Sequence, residues 1–174
     1  VQNVVRCAER CGLTVADVVL EPLASAEAVL SEDEKEIGVA VIDIGGGTTD
    51  LLLYVDGGIA HTSVIPVGGN NITQDIAAGL RTPIQEAERI KRNFGCALGA
   101  LVADDDELEV PGVGGHPPRR VARRVLSDII ESRVEEIFAV VRARIEETGL
   151  IEKLSAGAVL TGGAVELPGM VEFA

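Results

Sequence analysis

Cysteine is scarce in this 174-residue chain, which contains three of them. An odd and small number of cysteines excludes the class of small domains held together by a disulfide framework, and it favours the cytosol as the compartment. Cys7 and Cys11 are four residues apart on a predicted helix, and Cys96 is isolated. Because only two histidines could join them as ligands, we interpret the cysteines as packing residues rather than as a metal site.

Positive charge and long apolar runs are lacking as well. The formal net charge is -13, which excludes a general nucleic-acid binder because such a protein needs a basic surface to displace counterions from phosphates. No stretch approaches the roughly 18 uninterrupted apolar residues that a membrane-spanning helix needs. The hydrophobic fraction of 47% is nevertheless sufficient for one ordinary domain, or two small subdomains, with a genuine core.

Hydrophobic periodicity predicts strands that alternate with helices. Helices are expected at 1–11, 24–30, about 70–80, 84–94 and about 119–148, strands at 15–20, 38–44, 49–55, 59–67 and 156–160, irregular strands at 97–110, and an exposed acidic stretch at 31–36. This alternation indicates an α/β fold, and the helical run suggests an inserted subdomain at 70–152.

A glycine-rich hairpin joins the predicted strands at 38–44 and 49–55. It reads Asp43-Ile44-Gly45-Gly46-Gly47-Thr48-Thr49-Asp50. Glycines let the backbone approach a phosphate and expose N–H donors, and two carboxylates can hold a hydrated magnesium ion against that phosphate. The simpler interpretation is a glycine-rich turn with acidic residues in solvent.

Three further features could carry chemistry. Gly162 and Gly163 follow an apolar strand, where the backbone can pass over a nucleobase or simply turn. Glu88 and Lys91 share a helical face, so they can contact one ligand or each other. Glu21 directly follows a predicted strand and could orient an attacking water, or serve only as a turn residue before proline.

Arginines are concentrated at the start of the long predicted helix, against the acidic background of the chain. They are Arg119, Arg120, Arg123 and Arg124, with Arg133 further along. Cations oppose the dipole at a helix N-terminus, so an acidic partner is one interpretation and a solvated basic face is the other.

Taken together, these features resemble, in order and spacing, the actin and heat-shock-chaperone superfamily of ATPases, and within it the FtsA family of bacterial cell-division proteins. The residues that carry the resemblance are 21–26, 43–50, 61–70, 72–77, 80–83, 87–91, 117–119 and 160–164. The resemblance implies half of an actin-like (ribonuclease-H-like) ATPase core. It divides the chain into a first core part at 1–69, an inserted helical and β subdomain at 70–152, and a return to the core at 153–174.

ATP and Mg²⁺ are the cofactors that the resemblance implies. The nucleotide-binding residues would be Asp43, Gly45, Gly46, Gly47, Thr48, Asp50, Gly69, Asn70, Glu88, Lys91, Gly162 and Gly163, with Asp43 and Asp50 holding Mg²⁺ through water. Glu21 matches the water-orienting acid of the superfamily, although FtsA-like proteins are at best poor ATPases.

The resemblance also implies an adaptor. Such a protein polymerises and links the ring of the tubulin-like protein FtsZ to the cytoplasmic face of the membrane at the division site. Arg119, Arg120, Arg123 and Arg133 would receive the acidic FtsZ tail. The family's first phosphate hairpin, its small interaction subdomain and its membrane-targeting helix have no counterpart in these residues, so we expect a fragment with weak ATP affinity and no meaningful hydrolysis.

Alternatives remain within the same superfamily. A small-molecule kinase would need a second substrate acid beside the hairpin, and a heat-shock-type chaperone would need a β-rich peptide-binding domain. A pilus-assembly ATPase would share the core, although the stretch from Gly68 to Pro83 favours the division proteins.

Overall fold

The computed structural model describes all residues from 1 to 174. Its helices are α1 (Gln2–Arg10), α2 (Glu21–Val29), α3 (Glu32–Ile37), α4 (Gly69–Gly79), α5 (Ile84–Phe94), α6 (Arg123–Thr148) and α7 (Met170–Phe173). Its strands are β1 (Val39–Ile44), β2 (Thr49–Val55), β3 (Gly58–Ile65), β4 (Glu107–Val110), β5 (Arg119–Ala122) and β6 (Ala158–Thr161). No helix combines the length and the apolarity that crossing a bilayer requires.

The main sheet has the strand order β3-β2-β1-β6. β1 runs antiparallel to β2 and parallel to β6, and all six of its residues are buried. A strand with helices on both faces reads as a continuous apolar run, which explains why Val39–Ile44 has no polar alternation. The strands predicted at 38–44, 49–55 and 59–67 are confirmed as β1, β2 and β3, close to their predicted bounds.

The larger core lies between one face of this sheet and the helices α4, α5 and α6. It contains 21 buried residues, among them Ile42, Ile44, Leu51, Ile72 and Ile130. Burying this much aliphatic surface supplies most of the driving force for folding. The core therefore joins strands of the first predicted part of the chain to helices of the predicted insertion.

A smaller core covers the opposite face of the sheet. Ala26 of α2 packs there with Val39, Val41, Leu52 and Tyr54. Helix α3 lies beside it and is attached to α2 through Lys35, whose Nζ lies 2.8 Å from a carboxylate oxygen of α2 and 2.7 Å from one of α3. The acidic stretch at 31–36, predicted to be merely exposed, therefore contains a helix.

The predicted long helix at 119–148 begins four residues later than expected. Arg119–Ala122 forms β5, which pairs antiparallel with Glu107–Val110 in a separate two-stranded sheet. The paired residues are 9 to 15 positions apart in sequence, and the partner strand lies outside 119–148, so periodicity within that stretch could not reveal the pairing.

The predicted strand at 15–20 is absent. These residues have no regular secondary structure, and Val18, Val19 and Leu20 are 53%, 63% and 65% exposed. A strand needs a neighbour for its backbone groups, and no strand of this chain pairs there.

The interpretation of the cysteines as packing residues is confirmed only for Cys96, which is buried. Helix α1 has no buried residue, and Cys7 within it and Cys11 just after it are both exposed.

Candidate functional site

The glycine-rich hairpin turns between β1 and β2 and is attached to the start of α4. The Gly45 amide donates to the carbonyl of Thr48 at 2.9 Å, which closes the turn. The amides of Gly69 and Asn70 then donate to the carbonyls of Gly45 (2.9 Å) and Gly46 (2.7 Å). Because the hairpin carbonyls point to the helix, the turn has a fixed orientation with its tip toward solvent.

The tip of the hairpin carries free hydrogen-bond donors. The amides of Gly46, Gly47 and Thr48 donate to no acceptor in the chain, and all three residues are exposed. Consecutive backbone N–H groups in a turn form a concave anion site. This arrangement suits a phosphate.

Two carboxylates face each other at the base of the hairpin. Asp43 and Asp50 are directly opposite in the β1–β2 register, so their side chains lie on the same face of the sheet. Ser25 of α2 donates its hydroxyl to Asp43 Oδ2 at 2.6 Å, and Thr48 donates to Asp50 Oδ2 at 3.2 Å. Two carboxylates suit a magnesium ion that keeps most of its waters. The chain has no group of three or more His, Cys, Asp or Glu side chains that could hold a metal ion without such waters.

Glu21 is the first residue of α2 and is exposed. It was expected to follow a strand, but it begins a helix instead, with Pro22 in the first turn where proline is tolerated. It precedes Ser25 by four residues and therefore shares its helical face. Glu21 thus lies one turn from the side chain that holds Asp43.

A buried network connects α4 to α5. Lys91 Nζ lies 2.7 Å from Glu88 Oε2 and donates to the Gly69 carbonyl at 3.0 Å and to Thr73 Oγ1 at 2.8 Å. The Thr73 hydroxyl also lies 2.5 Å from Glu88 Oε2. Glu88 and Lys91 therefore contact each other, as one of the two sequence interpretations expected.

The charge of Glu88 is stabilised within this network. Burial disfavours its ionised form, but hydrogen bonds from Lys91 and Thr73 and the positive charges of Lys91 and Arg92 outweigh that cost and hold the pKa of the carboxyl below its ordinary value of 4.5. Glu88 is therefore an ionised hydrogen-bond acceptor at neutral pH.

The adjacent glycines after β6 have different surroundings. Gly162 has φ +93°, and a Cβ there would lie 2.6 Å from the Ile44 carbonyl oxygen and overlap the Asp43 carboxylate. A Cβ on Gly163 would meet nothing within 4 Å. Gly162 therefore packs against the carboxylate end of the hairpin, and Gly163 faces open space.

These elements surround a cleft of about 610 Å³, a size typical of small-molecule sites. Only two of its 14 lining residues are hydrophobic. The lining residues are Gly45, Gly46, Gly69, Asn70, Glu88, Arg89, Lys91, Arg92, Asn93, Gly163, Ala164, Glu166, Leu167 and Pro168.

Seven predicted residues line the cleft, namely Gly45, Gly46, Gly69, Asn70, Glu88, Lys91 and Gly163. The others, Asp43, Gly47, Thr48, Asp50, Gly162 and Glu21, lie outside its lining, and several of them surround the hairpin. Sequence reasoning missed the wall after Gly163, formed by Ala164, Glu166, Leu167 and Pro168, and it missed Arg89, Arg92 and Asn93 of α5. The signal for Arg92 was its position four residues after Glu88, which places both on one face of α5.

The predicted partner-binding arginines do not share one helix. Arg119 and Arg120 lie in β5, so the argument that they oppose a helix dipole is wrong for these two residues. Arg119 donates to the Leu80 carbonyl at 2.7 Å. Arg120 has a side chain 79% exposed, and its nearest acidic partner, Glu107, is 3.6 Å away.

Arg123 and Arg133 are engaged within the chain. Arg123 donates to the Phe94 carbonyl at 2.8 Å and to Asp106 at 3.1 Å. Arg133 makes a bidentate contact with Asp75 at 2.6 and 3.1 Å, which connects α6 to α4. The side chain of Arg120 is more exposed than those of Arg123 (30%) and Arg133 (23%), and a partner role for the set stays a prediction.

Solved structures with a similar backbone are members of the actin-like ATPase fold. MreB5 of Spiroplasma citri bound to ADP superposes with a TM-score of 0.80 at 22% identity, over 99% of this chain and 56% of that one. The PilM-PilN type IV pilus biogenesis complex gives a TM-score of 0.68 at 19% identity, over 98% and 43%. At these identities the likeness concerns the fold alone, and it confirms the actin-like core that the resemblance implied.

Sequence relatives are far closer. The cell division protein FtsA of Neisseria meningitidis serogroup B is 53% identical over 175 residues, and that of Pseudomonas aeruginosa is 49% identical over 173. The comparison covers 100% and 99% of this chain but 42% of each relative, so the chain spans about two fifths of their length. The family model described as Cell division protein FtsA matches residues 40–174, and the chain therefore belongs to the FtsA family of cell division proteins.

Proposed function

We propose that this chain supplies one side of an ATP and Mg²⁺ site in an actin-like cell division protein. The observation that carries the proposal is the polar cleft of about 610 Å³ between the start of α4, α5 and the segment after β6. The hairpin at its edge has unpaired backbone donors, of which the Gly46 amide belongs to a lining residue, and the α5 wall presents an ionised carboxylate. A site with anion donors at one end and a hydroxyl acceptor at the other suits a nucleoside phosphate.

Each part of the site has a distinct role in this proposal. The amides of Gly46, Gly47 and Thr48 receive the phosphate oxygens, and Asp43 and Asp50 hold the hydrated magnesium ion that neutralises phosphate charge. Glu88 accepts a hydrogen bond from a ribose hydroxyl at its free Oε1. Asn70 lines the part of the cleft for the ribose and base, and Gly163, with open space where a Cβ would lie, leaves room for them.

In this proposal the bound nucleotide regulates the adaptor, and its hydrolysis does not drive the function. Glu21, one helical turn from Ser25, would orient a water beside Asp43, but rapid phosphoryl transfer needs donors on both sides of the phosphates. The residues described here provide one glycine-rich acidic hairpin. We therefore expect weak binding and negligible hydrolysis by this chain, and measurable transfer to a small acceptor would favour the kinase alternative.

Isothermal titration of the folded chain with Mg²⁺-ATP tests the proposal. We expect saturable binding that Glu88→Gln weakens about tenfold, because a charged acceptor becomes a neutral one. Glu86→Gln is the matched control, since Glu86 is on the same helix, pairs with Arg89 at 2.7 Å and does not line the cleft. Absence of binding by a demonstrably folded chain, or equal effects of the two substitutions, would refute the proposal.

The same proposal extends to the protein as an adaptor. It self-associates into filaments, receives the acidic tail of FtsZ, and works on the cytoplasmic face of the membrane at the division site. Membership of the FtsA family supports this role, and the exposed guanidinium of Arg120 offers a contact for a carboxylate. Membrane contact would be made through segments outside these residues.

A further inference from the structure

Thr73 is a buried polar residue at the junction of three cleft residues. It lies in α4 and is 5% exposed. Its hydroxyl oxygen is 3.2 Å from the Gly69 carbonyl, 2.5 Å from Glu88 Oε2 and 2.8 Å from Lys91 Nζ. Gly69, Glu88 and Lys91 all line the cleft, whereas Thr73 does not.

The hydrogen bonds of Lys91 are fully used by this junction. An ammonium group has three N–H donors, and three acceptors surround Lys91 Nζ: the Gly69 carbonyl, Thr73 Oγ1 and Glu88 Oε2. Lys91 is 8% exposed, so a lost acceptor there is not replaced freely by water. Lys91 therefore holds the cleft together before it can contact any ligand.

The junction also decides which oxygen of Glu88 is available. Oε2 accepts from both Thr73 and Lys91, whereas Oε1 has no hydrogen-bond partner within the chain. The side chain of Glu88 is 43% exposed, so without these two bonds it could rotate into solvent. With Oε2 held by these contacts, Oε1 is the oxygen of this cleft-lining residue that is left to accept a hydrogen bond from a ligand.

Packing alone does not explain a threonine at this position. Valine has nearly the same shape and would bury a methyl group in place of a hydroxyl. A buried hydroxyl with three polar neighbours instead acts as a connector in a polar network.

We propose that Thr73 is a positioning residue for the nucleotide cleft, whose hydroxyl fixes Glu88 and Lys91 in the orientation that receives the ligand. This inference rests on the proposed nucleotide binding and adds to it a residue that touches no nucleotide. It acts through the Gly69, Glu88 and Lys91 contacts alone.

The ligand-free protein provides the first test, with Thr73→Val and Thr73→Ser as a matched pair. Valine keeps the shape and removes the hydroxyl, and serine keeps the hydroxyl and removes the methyl group. We expect the ¹⁵N signal of the Lys91 ammonium to be sharp and slow to exchange in the parent and in Thr73→Ser, and to broaden in Thr73→Val. A sharp Lys91 signal in a folded Thr73→Val variant would overturn the inference, even if the protein binds no nucleotide.

Titration with Mg²⁺-ATP and with Mg²⁺-pyrophosphate provides the second test. We expect Thr73→Val to weaken ATP binding about tenfold or more, Thr73→Ser to restore most of it, and pyrophosphate binding to stay unchanged because the hairpin is untouched. Equal loss for both ligands, or no rescue by serine, would indicate a structural role only and refute the inference. If the parent binds neither ligand, the proposed function fails, and the Lys91 signal still decides the role of Thr73.

Discussion

At the scale of single residues, Gly162 and Gly163 are adjacent glycines that the structure needs for two different reasons, one for the backbone conformation and one for space in the cleft. Both follow β6, but only Gly162 has a positive φ and a close approach to Ile44 and Asp43. Gly163 lines the cleft and has open space where a side chain would lie. The first glycine is needed for the fold at the carboxylate end, and the second leaves room for a ligand.

Gly162→Ala is therefore expected to destabilise the protein, and Gly163→Ala is not. An alanine at φ +93° costs roughly 1–3 kcal/mol of backbone strain, and its contact with the Ile44 carbonyl adds to that cost. Gly163→Ala should change the free energy of unfolding by no more than about 0.5 kcal/mol. Urea unfolding of the two variants measures the difference, and similar midpoints would contradict this account of Gly162.

At the scale of elements, α3 is a short helix that the hydrophobic pattern does not predict and that hydrogen bonds at its N-terminus stabilise. Ser31 accepts from the Glu34 amide at 3.3 Å, and Glu34 accepts from the Ser31 amide at 2.7 Å. This is a capping box, and it matters because a six-residue helix is marginal on its own. The signal Ser31-x-x-Glu34 is present in the sequence, but the absence of an apolar stripe concealed it.

Removing the cap should destabilise α3 in a pH-dependent way. Ser31→Ala should cost about 1 kcal/mol of unfolding free energy at neutral pH, because the Glu34 amide loses its acceptor. Chemical denaturation at several pH values measures this cost.

The acid limb of that experiment follows from the pKa of Glu34. Hydrogen bonds from the backbone and the side chain of Ser31 lower the pKa of this carboxyl from its ordinary value of 4.5. A lowered folded-state pKa gives stability that is present above pH 4.5 and is lost as the pH falls through the folded-state value. Alanine keeps the backbone bond to Glu34 and removes the one from the hydroxyl, so the cost of Ser31→Ala should shrink in acid by the hydroxyl's share, and an unchanged cost would contradict the bond between the Ser31 hydroxyl and the Glu34 carboxylate.

At the scale of the whole molecule, the net charge of -13 makes each accessible cation conspicuous. An acidic peptide is repelled by most of this surface, so its binding must depend on a local cluster of arginines and on salt concentration. Arg119 and Arg123 hold backbone carbonyls, so their replacement would disturb the fold as well as the charge. Arg120 is the better probe because its side chain is 79% exposed.

A synthetic FtsZ C-terminal peptide tests the partner proposal. We expect saturable binding at low salt that weakens at high salt and is lost in Arg120→Glu. Arg142→Glu is the control. Like Arg120, Arg142 has an exposed side chain that pairs with a glutamate, but it lies in the last two turns of α6, far along the chain from the predicted arginine cluster. If the control loses binding equally, or a folded chain binds nothing, the arginine site is excluded.

The sequence by itself determined the parts of this protein whose causes are local. The apolar run of β1, the glycine turn and the period of α5 each express one neighbourhood of the chain, so Val39–Ile44, Thr49–Val55 and Ile84–Phe94 lie where the pattern places them. The residues at 21–26, 43–50, 61–70, 72–77, 80–83, 87–91, 117–119 and 160–164, taken together, were also sufficient to indicate the family to which the chain belongs.

Only the tertiary structure decided features that depend on distant partners. Residues 119–122 became a strand because Glu107–Val110 pairs with them, and residues 15–20 formed none because no strand lies beside them. Lys91 proved to be saturated by Gly69, Thr73 and Glu88, a fact that needs two helices in contact. Backbone pairing and polar satisfaction are properties of the folded surroundings, and the spacing of residues along one segment does not contain them.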